Sequence, residues 1–251
     1  MQNVSWLNPA GGLRYHLRAL RYRNSMWLEF REELARWLES WQPREKELVL
    51  VGPSAGHCLD DGFLQRFTRI VAIDPDPMAR HLFTWRYGSG LSAVGCELRW
   101  DHEDYFRDRN GSLDLLQTKL LLEQHPGSAV LFCNFLGQLK VLNENDVFGS
   151  DFEEWKKGLH GLLSGRSWAS FHDRVSGPAE PFIEASPKEA KFLSNDEIIE
   201  VFYASHSNHG GSTELLDHLT EGLFPGHEYS YLRWQITPGI YHVIEAVHAN
   251  G

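Results

Sequence analysis

Cysteine is scarce in this chain and long apolar runs are missing from it, and the two absences exclude different things. The 251 residues hold only Cys58, Cys96 and Cys133, an odd number and widely spaced. They offer neither a disulfide framework nor a metal-ligand spacing, which fits a reducing compartment. No apolar stretch approaches the roughly 20 residues that cross a bilayer. The first residues, Met1 to Pro9, lack the basic-then-apolar form of a secretion signal. Basic charge is in deficit too: 24 Lys and Arg stand against 34 Asp and Glu, a formal charge of −10. A protein that lives by neutralising phosphates usually carries the reverse balance. Duplex nucleic acid and membrane are therefore not expected as partners, and a cytoplasmic location is.

What is present is ordinary globular material, 42% hydrophobic and 23% charged. That length suits one large domain, or one domain with an added cap. Residues 13 to 41 read as two helical pieces broken at Asn24-Ser25. Met26, Phe30, Leu34, Trp37 and Trp41 form one apolar stripe that Pro43 closes. The tryptophans suit a core better than a platform for stacking bases. Arg14, Arg18 and Arg21 share a face, either solvated or placed to receive an anionic substrate. Residues 1–46 are thus expected to be an N-terminal helical cap, and 47–251 the main domain.

From Glu47 onward strand and helix patterns alternate. Leu48 to Gly52 is a first strand, and Gly52-Pro53-Ser54-Ala55-Gly56 a loop of small residues feeding a helix through Leu59, Phe63 and Phe67. Small residues let a ligand approach backbone amides closely. Ile70 to Ile73 is a second strand ending on Asp74. After Pro75, Asp76 suits an N-cap and Pro77 the first helical position, with Met78, Leu82 and Trp85 as the buried stripe. Cys96 to Trp100 is a third strand, followed by Asp101, His102, Glu103 and Asp104. A helix over 113–122, a fourth strand over 129–133 and a helix over 152–163 come next. A fifth strand covers 167–171, with His172-Asp173-Arg174 after it. Near-continuous apolar runs of this kind belong to parallel strands covered on both faces. Residues 176–190 read as a loop or lid, Ser194 opens another helix, and 212–219 suggests a short one. Tyr229 to Ile236, Thr237-Pro238-Gly239 and Ile240 to His248 form an antiparallel hairpin.

In an open parallel sheet, ligands bind beyond the carboxyl ends of the strands. The residues found there are Gly52 to Gly56, Asp74, Asp101, Asn134 and His172-Asp173. Asp74 follows Gly52 at close to the ~20 positions that place a carboxylate on a ribose diol. Asp101 could accept from the exocyclic amine of an adenine.

This ordered series, with Asn134-Phe135-Leu136-Gly137 ending strand four and the terminal hairpin, resembles the class I S-adenosylmethionine-dependent methyltransferases over residues 46 to 250. The resemblance implies an α/β fold: a seven-stranded, mostly parallel Rossmann-like sheet of order 3-2-1-4-5-7-6 with helices on both faces. It implies S-adenosylmethionine as cofactor, with Gly52, Pro53, Ser54, Ala55 and Gly56 along its methionine part. Asp74 and Pro75 would lie at its ribose, Asp101 and His102 at its adenine, and Asn134 near the methyl group. The expected reaction is methyl transfer to a small molecule, with Asn134, His172 and Asp173 as candidates for orienting or deprotonating the acceptor. Leu50 stands where the family usually carries an acid, and Ser54 where it usually carries a glycine. A non-catalytic binding module of the same fold is therefore an alternative.

Two other readings compete. Gly52-x-Ser54-x-Gly56 also satisfies the nucleophile elbow of α/β hydrolases, with Asp173 and His206 or His209 completing the order, although the segment before it looks helical. A nicotinamide dehydrogenase shares the loop and the ribose acid but not the hairpin. Thirteen histidines include the pair His206 and His209, placed in a loop with no further ligand nearby, so no metal is expected. The sequence carries no signature of oligomeric state.

Overall fold

The computed structural model describes residues 12–139, 150–183, 191–204 and 214–251. Two helices, α1 (Gly12–Tyr22) and α2 (Leu28–Ser40), precede the sheet. Then come β1 (Glu47–Val51), α3 (Asp61–Leu64), β2 (Arg69–Ile73), α4 (Pro77–Ala93), β3 (Glu97–Asp101), α5 (Leu115–Gln124) and β4 (Ser128–Cys133). After them follow α6 (Ser150–Leu162), β5 (Trp168–Gly177), α7 (Asn195–Phe202), β6 (Leu216–Asp217), β7 (Tyr229–Thr237) and β8 (Ile240–Ala249). The sheet order is β3-β2-β1-β4-β5-β8-β7, with β6 attached to β5. β1 to β5 pair in parallel, and β8 runs antiparallel to both β5 and β7. This is the expected doubly wound order and terminal hairpin, with one extra two-residue strand. It is the order that the resemblance to class I methyltransferases implies.

Alternation along the central strands builds two cores. Leu48, Leu50, Ile70, Ala72, Ala129 and Leu131 face the layer that holds α1, α2 and α4. Val49, Val51, Val71, Ile73, Val130 and Phe132 face the layer of α5, α6 and α7. Leu50, in the position where an acid is usual, is completely enclosed in the first core. The N-terminal helices belong to that same packed layer. Phe30 stacks on Trp234 of β7 with ring centroids 4.8 Å apart, and Trp27 meets Trp234 edge-on at 5.1 Å. At the two ends of α2, the Trp27 indole donates to Ile236 O and that of Trp41 to Ala249 O. Both polar tips are thereby satisfied, and α2 is clamped to the hairpin.

Four expectations need correction. The helix expected through Leu59, Phe63 and Phe67 is a single turn, Asp61–Leu64, capped by Asp60 and weakened by Gly62. The loop after β1 thus runs from Gly52 to Asp60 and has no helix dipole behind it. In α4 the Asp76 cap and Pro77 are as expected, but the buried stripe is Ala79, Phe83, Tyr87 and Leu91. Trp85 is 78% exposed. β5 continues six residues past Phe171, so His172, Asp173 and Arg174 are strand residues rather than loop residues. It outruns β4, whose last partner is Phe171, and pairs onward with β8 across a register shift between Asp173 and Val175. Finally, Leu216–Asp217, expected to be helical, is strand β6, paired with Ser176 and Val175. His206, His209 and part of the 176–190 segment lie outside the described residues.

The overhanging part of β5 carries a buried ion pair. Arg174 and Glu245 are both fully enclosed and hydrogen-bonded, and Arg174 also donates to Asn195 Oδ1 at 2.9 Å and Leu193 O at 3.0 Å. His172 Nε2 lies 3.3 Å from the other Glu245 oxygen, and Tyr231 OH donates to Glu245 at 3.2 Å. Burial pushes the Glu245 carboxyl up, but His172 and Arg174 outweigh it and hold the group below its ordinary range. Removing one partner of such a pair strands a charge in the core. Glu245→Ala is expected to lower stability by about 3–5 kcal/mol, read as a fall in urea midpoint. The double change Arg174→Met with Glu245→Leu should recover part of that loss.

Candidate functional site

The carboxyl ends of β1, β2 and β3 bring the glycine loop and two acids to one edge. Gly52 and Gly56 have φ of +63°, and Ser54 has φ of +50°. The loop therefore turns through left-handed conformations that favour glycine. It is held from two sides. Gly56 packs so closely on α4 that an added Cβ would lie 2.6 Å from Tyr87 and 2.9 Å from Phe83, and the Tyr87 hydroxyl donates to Gly56 O and Leu59 O. From the N-terminal side, Arg23 donates to His57 O at 3.1 Å. His16 bridges His57 at 3.1 Å and Asp76 at 3.0 Å. His57 is neutral there: burial, then the charges of Arg86, His16, Arg23 and Arg31, push its pKa down to about 2. Pro53, Ala55 and Gly56 are buried, and Gly52 and Ser54 are partly open.

Asp74 is the keystone of this edge. Its Oδ2 accepts from Ser54 N at 2.8 Å and its Oδ1 from Asp76 N at 2.9 Å. One carboxylate thereby fixes the glycine loop and the entry to α4. The Asp74 amide donates to Asp101 O at 3.1 Å, and His102 Nδ1 lies 3.1 Å from Asp74 O. The three sites named from sequence converge as one chain of contacts. Asp101 is half-buried, accepting from Glu103 N and from the Tyr105 hydroxyl; His102 and Pro75 are exposed. Burial raises the Asp74 carboxyl to about 6, against the pull of the two amide bonds.

The space next to Gly52 is filled. A Cβ added to Gly52 would meet Phe135 Cβ at 3.0 Å, and the Phe135 ring lies on Phe106 at 4.4 Å between centroids. Clefts of about 640 and 310 Å³ lie elsewhere, one beside Lys156 and Phe192 and the other behind α4 and β3.

At the ends of β4 and β5 a second polar group forms. Asn134, at φ +54°, donates from Nδ2 to Asp173 Oδ2 and accepts from Asp173 N, each at 2.9 Å. His242 Nδ1 lies 2.7 Å from Asp173 Oδ1, and His218 Nδ1 lies 4.0 Å from Asp173 Oδ2. Burial alone would raise the Asp173 carboxyl. Attraction to His242 and His218, with bonds from His242 and Asn134, holds it well below the usual range. His172, expected beside Asp173, is fully enclosed and engaged with Ser170 and Glu245, so it cannot touch an acceptor. Its place is to brace the ion pair of β5. His218 and His242 were not singled out from sequence. They sit in unpatterned or strand segments, and their meeting depends on the hairpin lying against β5.

The hydrolase arrangement finds no support at Ser54. The loop follows the first strand, not a late one, and Asp173 is committed to Asn134 and His242. Among the described residues no histidine is hydrogen-bonded to Ser54.

No family model and no curated protein matches this chain. Solved structures do. The N-methyltransferase NodS from Bradyrhizobium japonicum WM9, in complex with S-adenosyl-L-homocysteine, is 10% identical with a TM-score of 0.46, over 89% of this chain and 87% of that one. Magnesium protoporphyrin IX methyltransferase (ChlM) from Synechocystis PCC 6803, with bound SAH, is 12% identical with a TM-score of 0.45, over 97% of both chains. The methyltransferase domain of bacterial CtHen1 is 10% identical with a TM-score of 0.42, over 90% of this chain and all of that one.

A carboxyl raised to about 6 in the folded protein, against ~3.9 unfolded, binds its proton more tightly when folded. Its stabilising effect is complete below pH ~4 and is lost as pH rises through about 6. The stability of the wild type minus that of Asp74→Asn should therefore decline by about 2 kcal/mol between pH 4 and 6, and by roughly 3 kcal/mol over the full titration, measured by urea unfolding across pH.

Proposed function

We propose that this protein is an S-adenosylmethionine-dependent methyltransferase acting on a small-molecule acceptor. The observation that carries the reading is the linked edge of β1, β2 and β3, where the glycine loop, Asp74 and Asp101 are joined by hydrogen bonds on a sheet of methyltransferase order. The donor set fits the cofactor. Each Asp74 oxygen accepts one backbone N–H, which leaves a second lone pair on each for a ribose diol. Gly52, Pro53, Ser54, Ala55 and Gly56 would line the methionine part, Asp74 and Pro75 the ribose, and Asp101 and His102 the adenine. When bound, the cofactor supplies an electrophilic methyl group on a sulfonium.

The chain's own part is positioning. Asn134 is locked to Asp173 by paired hydrogen bonds, so its amide is held in one orientation at the end of β4, where the acceptor would lie. Asp173, buried and charged, fixes that amide and is not itself exposed to the acceptor. Phe135 closes the crevice at Gly52, and its ring has to turn away when the site is occupied. The net charge of −10 supports a small acceptor over a polyanion.

A second reading, a binding module that keeps the fold without turnover, is favoured by Leu50 in place of an acid and by the packing of Phe135 on Gly52. Methyl transfer to a panel of small amines, phenols and carboxylates separates it from the first reading. Calorimetric titration with S-adenosylmethionine tests the cofactor site itself. The wild type should bind in the micromolar range, and Asp74→Ala should weaken binding by about 10- to 100-fold, the loss of a hydrogen-bonded charged group. Phe135→Ala should tighten it. The absence of measurable heat at millimolar ligand would remove the cofactor assignment.

A further inference from the structure

Asp173, His218 and His242 come from β5, the segment after β6, and β8, and they converge at the end of the β5 overhang. One ligating atom from each lies within 4.8 Å of the others. The sequence gives no hint of this, since the three are far apart along the chain and form no spacing motif. We propose that they bind a divalent transition-metal ion of the zinc class, beside Asn134 and through the Asp173 that fixes it.

Several observations support this beyond the three side chains alone. Both imidazoles turn the same atom, Nδ1, toward a single carboxylate. The carboxylate is 4% exposed and the imidazoles 4% and 13%, so the group is largely withdrawn from water. A fourth donor atom is present: Gly137 O lies 2.7 Å from His218 Nδ1. Position 137 admits no residue larger than glycine, because a Cβ there would lie 2.5 Å from Asp173 N. The cluster thus offers two imidazole nitrogens, a carboxylate oxygen and a carbonyl oxygen, a donor set suited to zinc and its neighbours.

The surroundings are those that hold ligands in place. His218 Nε2 lies 2.9 Å from Ser176 Oγ, which can accept its proton and leave Nδ1 free to ligate. Asn134 Nδ2 donates to Asp173 Oδ2 at 2.9 Å, and Thr220 Oγ1 donates to Asp173 O at 2.6 Å. His242 Nδ1 lies 2.7 Å from Asp173 Oδ1, and His218 Nδ1 lies 2.7 Å from Gly137 O. A metal ion would replace these contacts, with release of any proton they hold. Ligand bonds of about 2.0–2.2 Å would be reached by rotation of the three side chains around the Gly137 carbonyl.

The test is titration of the metal-stripped full chain with Co²⁺, followed by its visible absorption, with Zn²⁺ as competitor. Other histidines, including His206 and His209, could bind weakly, so site assignment rests on variants. The expected result is one equivalent of Co²⁺ with the intense bands of a four-coordinate site, displaced by Zn²⁺. His218→Gln and His242→Gln should each weaken binding by about 100-fold or more, and thermal melts of the metal-free variants establish that they are folded. Zn²⁺ should raise the melting temperature of the wild type and not of either variant. Failure of Co²⁺ and Zn²⁺ to bind at a hundred micromolar, or unchanged affinity in both folded variants, would overturn the proposal and leave a hydrogen-bonded cluster only.

Discussion

Asp74 accepts backbone amides from both sides of itself in space, and the candidate site depends on that one carboxylate. Without it, Ser54 N–H in the glycine loop and Asp76 N–H at the entry to α4 would both lose their acceptor in a buried setting. The residue that would hold a cofactor's ribose is thus also the residue that shapes the loop the cofactor would lie on. Burial keeps its pKa near 6, and hydrogen-bond donors from a diol would offset the cost of its charge.

The N-terminal helices take part in the same arrangement. A chain of contacts from Asp76 through His16 to His57 ties α1 to the loop, while Trp27 and Trp41 clamp α2 to the terminal hairpin. One layer of aromatic packing therefore connects the loop after the first strand to the last strands of the chain. The loop has no long helix behind it, and its rigidity comes from Phe83, Tyr87 and Asp74 rather than from a helix N-terminus.

Most of the sheet is legible in the sequence because its central strands are covered on both faces. Leu48 to Val51 and Ala129 to Cys133 read as continuous apolar runs for that reason. Pro238-Gly239 marks the hairpin, and Asp76-Pro77 marks the start of α4. The overhang of β5 was illegible because its interior is polar: His172, Asp173 and Arg174 look like the residues that end a strand, yet Glu245, Asn134 and His242 satisfy them in the core. The α4 stripe was misplaced by the pull of Trp85, although the tight fit at Gly56 requires Phe83 and Tyr87 inward. Of the site, Gly52, Ser54, Asp74 and Asp101 could be named from their order along the chain. Phe135 against Gly52, and His218 with His242 around Asp173, follow from tertiary contacts that no local pattern encodes.

The central claim is that the linked edge of Gly52, Asp74 and Asp101 receives an adenosyl group. A crystal structure of the protein grown with S-adenosylhomocysteine tests it most directly. The account predicts ligand density with its ribose hydroxyls on the Asp74 carboxylate and the Phe135 ring turned away from Gly52. Crystals that hold the ligand elsewhere, or that leave Phe135 packed on Gly52 at saturating ligand, would contradict it.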